Sequence, residues 1–265
     1  LVHLAARDQT FAIDFGMLAP GQLNPDDYPL IGGNASDLFG CPAVQEDRNL
    51  KGYPSIAVPG YVAGISQALE RFGTLAWADA IAPAVELAEM GIPIEQSNPE
   101  YAAGQVEVNI RYDSAMIAAD RVVMFRSLVK QLAARHGRNA TFMAKPFIDE
   151  SGNGFHLHYS LWSEGKNIFA DAGKLNDRGQ HFLGGMQQRM AEASICGAAT
   201  VNAYRRRQPL SFCPVNASWG LDNRTVALRV IEGSDSAVRI EKRDAGADCN
   251  PYLLMAGDIA AGLDG

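Results

Sequence analysis

The sequence predicts an α+β fold, and three observations carry that reading. Helical patterns with apolar residues three and four apart recur along the chain. Short alternating segments of strand type fall among them. Turns rich in Gly, Pro, Asn and Asp separate the two kinds of segment.

In chain order, residues 1–60 combine many Pro, Gly, Asn and Asp with short apolar runs such as FAIDFGMLAP, which predicts loops joining a few strands. Two helices follow. Val62 to Phe72 closes on Gly73 and Trp77 to Met90 closes on Gly91, each glycine standing where a left-handed C-cap belongs. Pro83 inside the second implies a kink, or a new start after a short first turn. From Ser97 the texture changes. Ser114 to His136 is the strongest helical pattern, with basic residues near its end and Gly137 as its stop. ATFMAKPF (140–147) and GFHLHYSLW (154–162) alternate as strands around a Gly-rich turn, Ser151 to Gly154. A helix is expected around Phe182 to Cys196. Strands TVALRVI and SAVRIEKR are joined by GSDS, and a last helix runs from Asn250 to about Leu263.

Composition narrows the function classes. Charged residues make up 20% and apolar residues 47% of 265, the balance of a globular chain large enough for real cores. A net charge of −7 argues against a general nucleic-acid or anionic-membrane surface, although arginines concentrate after Arg205. Cys41, Cys196, Cys213 and Cys249 lie far apart with no Cys-x-x-Cys pair, which disfavours structural zinc and fits reduced thiols in a cytoplasm. No apolar run is long enough to span a membrane. The opening at Leu1 and the stop at Gly265 read as a piece of a longer protein.

The chemistry concentrates after Asn98. Glu100 and Glu107 flank Gly104-Gln105, so two acids can be aimed into one cavity from successive strand segments. His156 and His158 are two apart in an alternating segment and face one side. The adjacent turn Ser151-Gly152-Asn153-Gly154 offers backbone N–H groups to a carboxylate or phosphate. Arg239, Glu241 and Arg243 share one face of a strand, alternating with Ile240 and Lys242. Arginines forked around a glutamate suit phosphate oxygens beside a metal ligand. Oxygen-rich ligation with one imidazole points to Mg²⁺ or Mn²⁺.

These segments, NPEYAAGQVEVN, ATFMAKPF, GNGFHLHYSLW, VNAYRRRQPLSFCPVNASWGLDNRTVALRV, RIEKR and DCNPYLLMAGDIAAGLDG, resemble the catalytic domain of the glutamine synthetase family over residues 95–265. The resemblance implies curved antiparallel strands around a cavity with helices outside. It also implies a ligase that phosphorylates the γ-carboxylate of glutamate with ATP and lets ammonia or an amine displace the phosphate. Carried across, Glu100 and Glu107 bind one metal, and His156 and Glu241 a second. Gly152, Arg206 and Arg243 address glutamate, and Arg206 and Arg224 serve catalysis, Arg224 on the transferring phosphate. His158, Ser160, Arg229 and Arg239 address the nucleotide. A homo-oligomer, with no nucleic-acid or membrane partner, is implied as well.

Two positions depart from the family pattern. Its flap glutamate falls at Phe212, which favours a bulkier amine or no turnover, and its substrate-meeting asparagine falls at Ser151. Residues 1–94 instead resemble part of the large subunit of γ-glutamyltransferases, through FAIDFGMLAP and SIAVPGYVAGISQALERFGTLAWADAIAPAVELAEMGIPI, with a smaller α/β remnant expected there. That family's carboxylate-clamping arginine falls at Gly16. The seam is expected near Gly91. A non-catalytic chimeric remnant and a γ-glutamyl transferase or hydrolase stand beside the ligase as readings.

Overall fold

The computed structural model describes residues 2–4, 6–13, 23–34, 42–49, 61–209 and 211–265. Gly16, Cys41 and the Val58-Pro59-Gly60 turn lie outside the described residues. The chain divides into two compact units, Leu1–Val85 and Glu86–Gly265.

The first unit holds two antiparallel pairs: β1 (Val2–Leu4) with β2 (Gln9–Phe11), and β3 (Leu30–Asn34) with β4 (Pro42–Val44). Helix α1 (Tyr61–Phe72) follows, and Phe72 meets Phe11 with ring centroids 4.8 Å apart. Its stop differs in kind from expectation. Gly73 is not left-handed; it is needed for space, because a Cβ there would lie 2.6 Å from the Leu69 carbonyl. Helix α2 (Trp77–Glu89) runs unbroken through Pro83, so no second start occurs, and it closes on Gly91 at φ +79° as expected.

In the second unit, β5 (Ile94–Pro99) and β6 (Val106–Ile110) form an antiparallel hairpin. Helix α3 (Ala115–Arg135) lies between Ser114 and a left-handed Gly137. Ile92 and Leu132 centre a small core of hairpin and α3 side chains. Then come β7 (Leu157–Tyr159), the small hairpins β8 (Trp162–Ser163) with β9 (Lys166–Asn167) and β10 (Ala170–Asp171) with β11 (Lys174–Leu175), and helix α4 (Asp177–Gly197). Helix α4 begins earlier than its apolar spacing suggested, because Asn176 caps it by accepting from the Gly179 N–H at 3.0 Å. A short α5 (Val201–Tyr204), strands β12 (Trp219–Leu221), β13 (Leu228–Ile231) and β14 (Arg239–Lys242), and helix α6 (Pro251–Leu263) complete the unit. Asn250 caps α6 by accepting from the N–H groups of Tyr252 and Leu253, with Pro251 in the first turn.

The central sheet has the order β12-β13-β14-β7. The antiparallel expectation holds for β13-β14 and β14-β7, while β12 joins in parallel. One face, through Leu228, Val230 and Ile240, packs on Phe169, Phe182, Met186 and Met190 to make the main core. The segment 140–147 is no strand. Its backbone serves other partners: the Ala144 carbonyl accepts from Asn153, and Lys145 exchanges two hydrogen bonds with the Asn202 side chain, both 2.8 Å. The three described cysteines are free, and burial pushes the Cys249 thiol up to about 11, so it stays protonated.

Candidate functional site

Strand alternation sends Ile240 and Lys242 into the core and leaves Glu241 on the opposite face. Register then places Arg229 on β13 and His158 on β7 directly across from Glu241, in one row over three strands. Glu241 is 3% exposed yet surrounded by donors. It accepts from Arg229 Nη1 at 3.0 Å, closely from Arg243 Nη1, and meets His156 Nδ1 at 3.3 Å. Burial alone would raise its pKa, but the His156 hydrogen bond and charge, then Arg243 and His158, hold it well below the carboxylate range. Arg243 Nε is buried without a hydrogen-bond partner, so the guanidinium keeps donor capacity that the protein does not satisfy.

His158 takes the other role in the row. Arg239 donates from Nε to its Nδ1 at 3.1 Å and fixes its own fork through Nη1 to the Ala237 carbonyl at 2.7 Å. A nitrogen that accepts from arginine carries no proton. Desolvation and the charges of Arg239, His156 and Arg229 push His158 down to about 4 against the pull of Glu241, although one side of the residue reaches solvent. The ring is therefore neutral at pH 7, with Nε2–H as a donor.

The β5–β6 hairpin carries the second carboxylate group. Its turn is closed by Glu100 N–H to the Gln105 carbonyl and Gln105 N–H to the Ala102 carbonyl, both 3.0 Å. This brings the Glu100 and Glu107 carboxyls together. Partial burial, then the charge of Glu107 and a hydrogen bond with it, raise the Glu100 pKa, while Arg224 pulls it down. Two carboxylates pressed together favour a shared proton or a shared cation, so the donor set fits a hard divalent ion.

A residue that sequence reasoning missed joins this hairpin to the Gly-rich loop. Gln105 donates from Nε2 to the Gly152 carbonyl at 3.0 Å and to Asn153 Oδ1 at 2.8 Å. The loop is also gripped from below: Asn153 N–H reaches the Ala144 carbonyl, Phe155 N–H the Ala245 carbonyl, and Ala247 N–H the Asn153 carbonyl. Gly152 leaves no room for a side chain, since a Cβ would lie 2.8 Å from both the Ala144 carbonyl and Arg206 Cγ. Arg206 is buried and donates from Nη1 to the Ala245 carbonyl at 2.7 Å. Gly152, Arg206 and the Ala245 segment thus form one packed floor.

Most of the residues expected at the site fall into these groups. Glu100 pairs with Glu107, His156 with Glu241, Gly152 with Arg206, and Arg239 with His158. Arg224 is exposed and acts on Glu100 by its charge, and Ser160 accepts from Trp162 Nε1 at 2.9 Å. The carboxylates come in pairs: among the described residues, no three His, Cys, Asp or Glu side chains gather as a metal-holding set. Ser151 opens the gripped loop. Phe212 stacks on Tyr101, with centroids 6.0 Å apart and planes 13° apart. Also missed was a charged cluster on the core face of β14. Lys242 Nζ lies 3.0 Å from both Asp244 Oδ1 and Asp258 Oδ1, and Tyr159 donates to Asp258 Oδ2 at 2.7 Å. The alternation that turned Glu241 outward was the available signal, because it turns Lys242 inward.

Comparison with known proteins agrees with this architecture. Residues 78–265 match the family described as glutamine synthetase, catalytic domain, and residues 1–131 match gamma-glutamyltranspeptidase, so the two matches overlap over 78–131. A glutamate–isopropylamine ligase of Pseudomonas sp is 42% identical over 67% of this chain and 39% of its own length. A gamma-glutamylethanolamide synthetase of Streptomyces coelicolor is 41% identical over 68% and 39%, and the glutamine synthetase of Thermococcus kodakarensis 41% over 66% and 40%. Among solved structures, Plasmodium falciparum glutamine synthetase superposes with a TM-score of 0.67 at 27% identity, covering 72% of this chain and 38% of that one. A GmaS/ADP complex gives 0.65 at 36% identity, covering 75% and 46%. The second unit is an α+β catalytic domain of mixed small sheets with flanking helices. The chain belongs to the glutamine synthetase family. It spans about two fifths of the length of the curated relatives it matches. Among the described residues, no helix is long and apolar enough to cross a membrane.

Proposed function

We propose that this chain carries the catalytic portion of an ATP-dependent carboxylate–amine ligase that joins glutamate to ammonia or an amine through γ-glutamyl phosphate. The observation that carries the reading is the row Arg229–Glu241–His158 with Arg243 and Arg239 around it. It presents more cationic donors than its own carboxylates neutralise, which suits the oxygens of a transferring phosphoryl group.

In this reading Arg206, beside Gly152, and Arg243, beside Glu241, orient the glutamate carboxylate. The γ-carboxylate oxygen attacks the terminal phosphorus of ATP, and ADP leaves with the bond electrons. Arg224 steadies the phosphoryl oxygens, while Arg229, Arg239, Ser160 and the neutral His158 Nε2–H hold the nucleotide. The amine nitrogen then attacks the γ-carbonyl carbon, phosphate departs, and the nitrogen loses a proton. Mg²⁺ or Mn²⁺ held by Glu100 with Glu107, and by His156 with Glu241, would supply the positive charge that screens the phosphates during attack. Glu241 fits that role when it exchanges an arginine partner for the cation.

The proposal extends to a homo-oligomer acting in the cytoplasm and to separate origins for residues 1–94 and 95–265. The gamma-glutamyltranspeptidase match over 1–131 favours a second reading, γ-glutamyl transfer or hydrolysis. One assay panel separates them. ADP release that requires glutamate, an amine and Mg²⁺, and that is lost in Glu241→Gln, supports the ligase. Release of nitroaniline from a γ-glutamyl anilide without ATP supports the transferase. ATP binding with neither product leaves a non-catalytic remnant and overturns both.

A further inference from the structure

We propose that Asp222 is the positioning residue of Arg229, holding that guanidinium in the aim it needs to meet the phosphates of the nucleotide. This inference rests on the ligase reading, in which Arg229 addresses the nucleotide. Its basis is the turn that follows β12. Register sets Leu221 beside Val230, and the Asp222 N–H then donates to the Val230 carbonyl at 2.9 Å, which ties the turn to β13 one residue past Arg229. Asp222 Oδ1 accepts from Arg229 Nε at 2.9 Å and, more closely, from Nη2. The next residue, Asn223, folds the turn onward by accepting from the N–H and the hydroxyl of Thr225, at 2.8 and 2.7 Å. One turn therefore fixes Arg229 and carries Arg224.

Two features separate this contact from an ordinary surface ion pair. Arg229 has five N–H donors on a rigid plane, and three are engaged: those of Nε and Nη2 with Asp222, and one of Nη1 with Glu241 at 3.0 Å. A plane gripped from two sides has little freedom to rotate, so the two remaining N–H groups have a set direction. Glu241 cannot set it alone, because it also serves Arg243 and His156, whereas among the described residues Asp222 pairs with Arg229 only. Exposure divides unevenly as well. The Asp222 side chain is 76% exposed and that of Arg229 15%, so the carboxylate contributes little to folding while its partner is held against the sheet. The Asp222 backbone is left-handed, φ +43°, a conformation aspartate takes more readily than most residues. A negative charge beside a phosphate subsite opposes binding by simple repulsion. The aim it gives Arg229 accounts for its presence there.

Calorimetric binding of a non-hydrolysable ATP analogue with Mg²⁺ to the full chain tests this, in Asp222→Gly and Asp222→Asn. Both replacements accept the left-handed backbone, and urea unfolding checks that each variant folds as the parent does. Asp222→Gly frees Arg229 to turn onto Glu241 and is expected to weaken the analogue by about tenfold, the effect of one misplaced charged hydrogen bond. Asp222→Asn keeps an oxygen for Nε without the charge, and is expected to restore binding to the parent's level. An NMR spectrum of the arginine side chains without nucleotide gives a second reading. The Arg229 Nε–H signal, identified by its absence in Arg229→Lys, should vanish through fast exchange in Asp222→Gly and persist in Asp222→Asn. Analogue binding unchanged or tightened in Asp222→Gly overturns the clamp, since a spectator leaves affinity alone and a mere counter-charge, once removed, raises it. Asp222→Asn binding no better than Asp222→Gly overturns it as well. The ligase reading is scored separately by ADP release. The expected binding pattern without glutamate- and amine-dependent ADP release removes the ligase and keeps the clamp; turnover with nucleotide binding indifferent to both variants does the reverse.

Discussion

The two faces of strand β14 carry opposite electrostatic arrangements. Outward, the guanidiniums of Arg229, Arg239 and Arg243 meet the carboxylates of Glu241 and Asp222, so positive charge is left over. Inward, Lys242 and Arg207 meet Asp244 and Asp258, with Tyr159 closing the set, so charge is balanced. The inner cluster is also sealed, with Lys242 only 1% exposed. A balanced, buried cluster can fix strand register but has nothing to offer a ligand. An unbalanced row that opens towards solvent at His158 and Arg239 can hold an anion. One four-residue strand separates the two by alternation alone.

The comparison breaks most visibly at Lys242. Lys242→Met leaves Asp258 buried without its cation and Asp244 with Arg207 alone, and is expected to cost about 3–5 kcal/mol in urea unfolding. Glu241→Gln is expected to cost less stability, because the amide oxygen still accepts from one of the two arginines, Arg229 and Arg243, that the carboxylate serves. It should nonetheless lower ATP turnover by about 100-fold, as removal of one charged group from a preorganised phosphoryl site does. Little change in stability for the first variant, or in turnover for the second, would reverse the assignment of the two faces.

Opposite ends of the pH scale sharpen the same contrast. The Glu241 pKa is depressed in the folded protein, so its stabilisation is present above the ordinary value of 4.5 and is lost as pH falls below it. The Lys242 pKa is raised: burial opposes the charge, but Asp244 and Asp258 outweigh it. That stabilisation is intact below 10.5 and is lost as pH rises through the folded value. In chelator, Glu241→Gln should flatten the acid limb of the stability curve and Lys242→Met the alkaline limb. Thermal melts across pH read both.

Smaller effects belong to the floor. Gly152→Ala forces a methyl against the Ala144 carbonyl and Arg206, with an expected loss of about 1–3 kcal/mol and weaker glutamate binding by calorimetry. Gln105→Ala removes two hydrogen bonds between hairpin and loop. A loss of about 1–2 kcal/mol is expected, with faster amide exchange at Asn153. If exchange there is unchanged, the hairpin does not hold the loop.

Helix ends were legible because single residues set them: Asn250 and Pro251 start α6, and Gly91 and Gly137 stop α2 and α3. The outward face of β14 was legible because alternation alone puts Arg239 and Arg243 on the side of Glu241, whereas Arg229 and His158 are brought beside it by strand register that local pattern does not encode. Segment 140–147 was misread because its alternation imitates a strand, while its carbonyls and N–H groups bond Asn153 and Asn202, far away in sequence. Gln105 was passed over for a similar reason: its partners lie 47 and 48 residues on. The parallel placement of β12 likewise depends on a connection that local pattern does not encode.

The glycine floor also shapes how such a protein can diverge. At Gly152 and Gly246 the neighbouring atoms would lie within 3 Å of any added carbon, so these positions have almost no substitutions open to them. Tyr101 and Phe212, stacked on each other, face solvent and can be exchanged at little structural cost. Inherited change is therefore channelled to exposed turns such as these, while the packed floor passes between descendants unaltered.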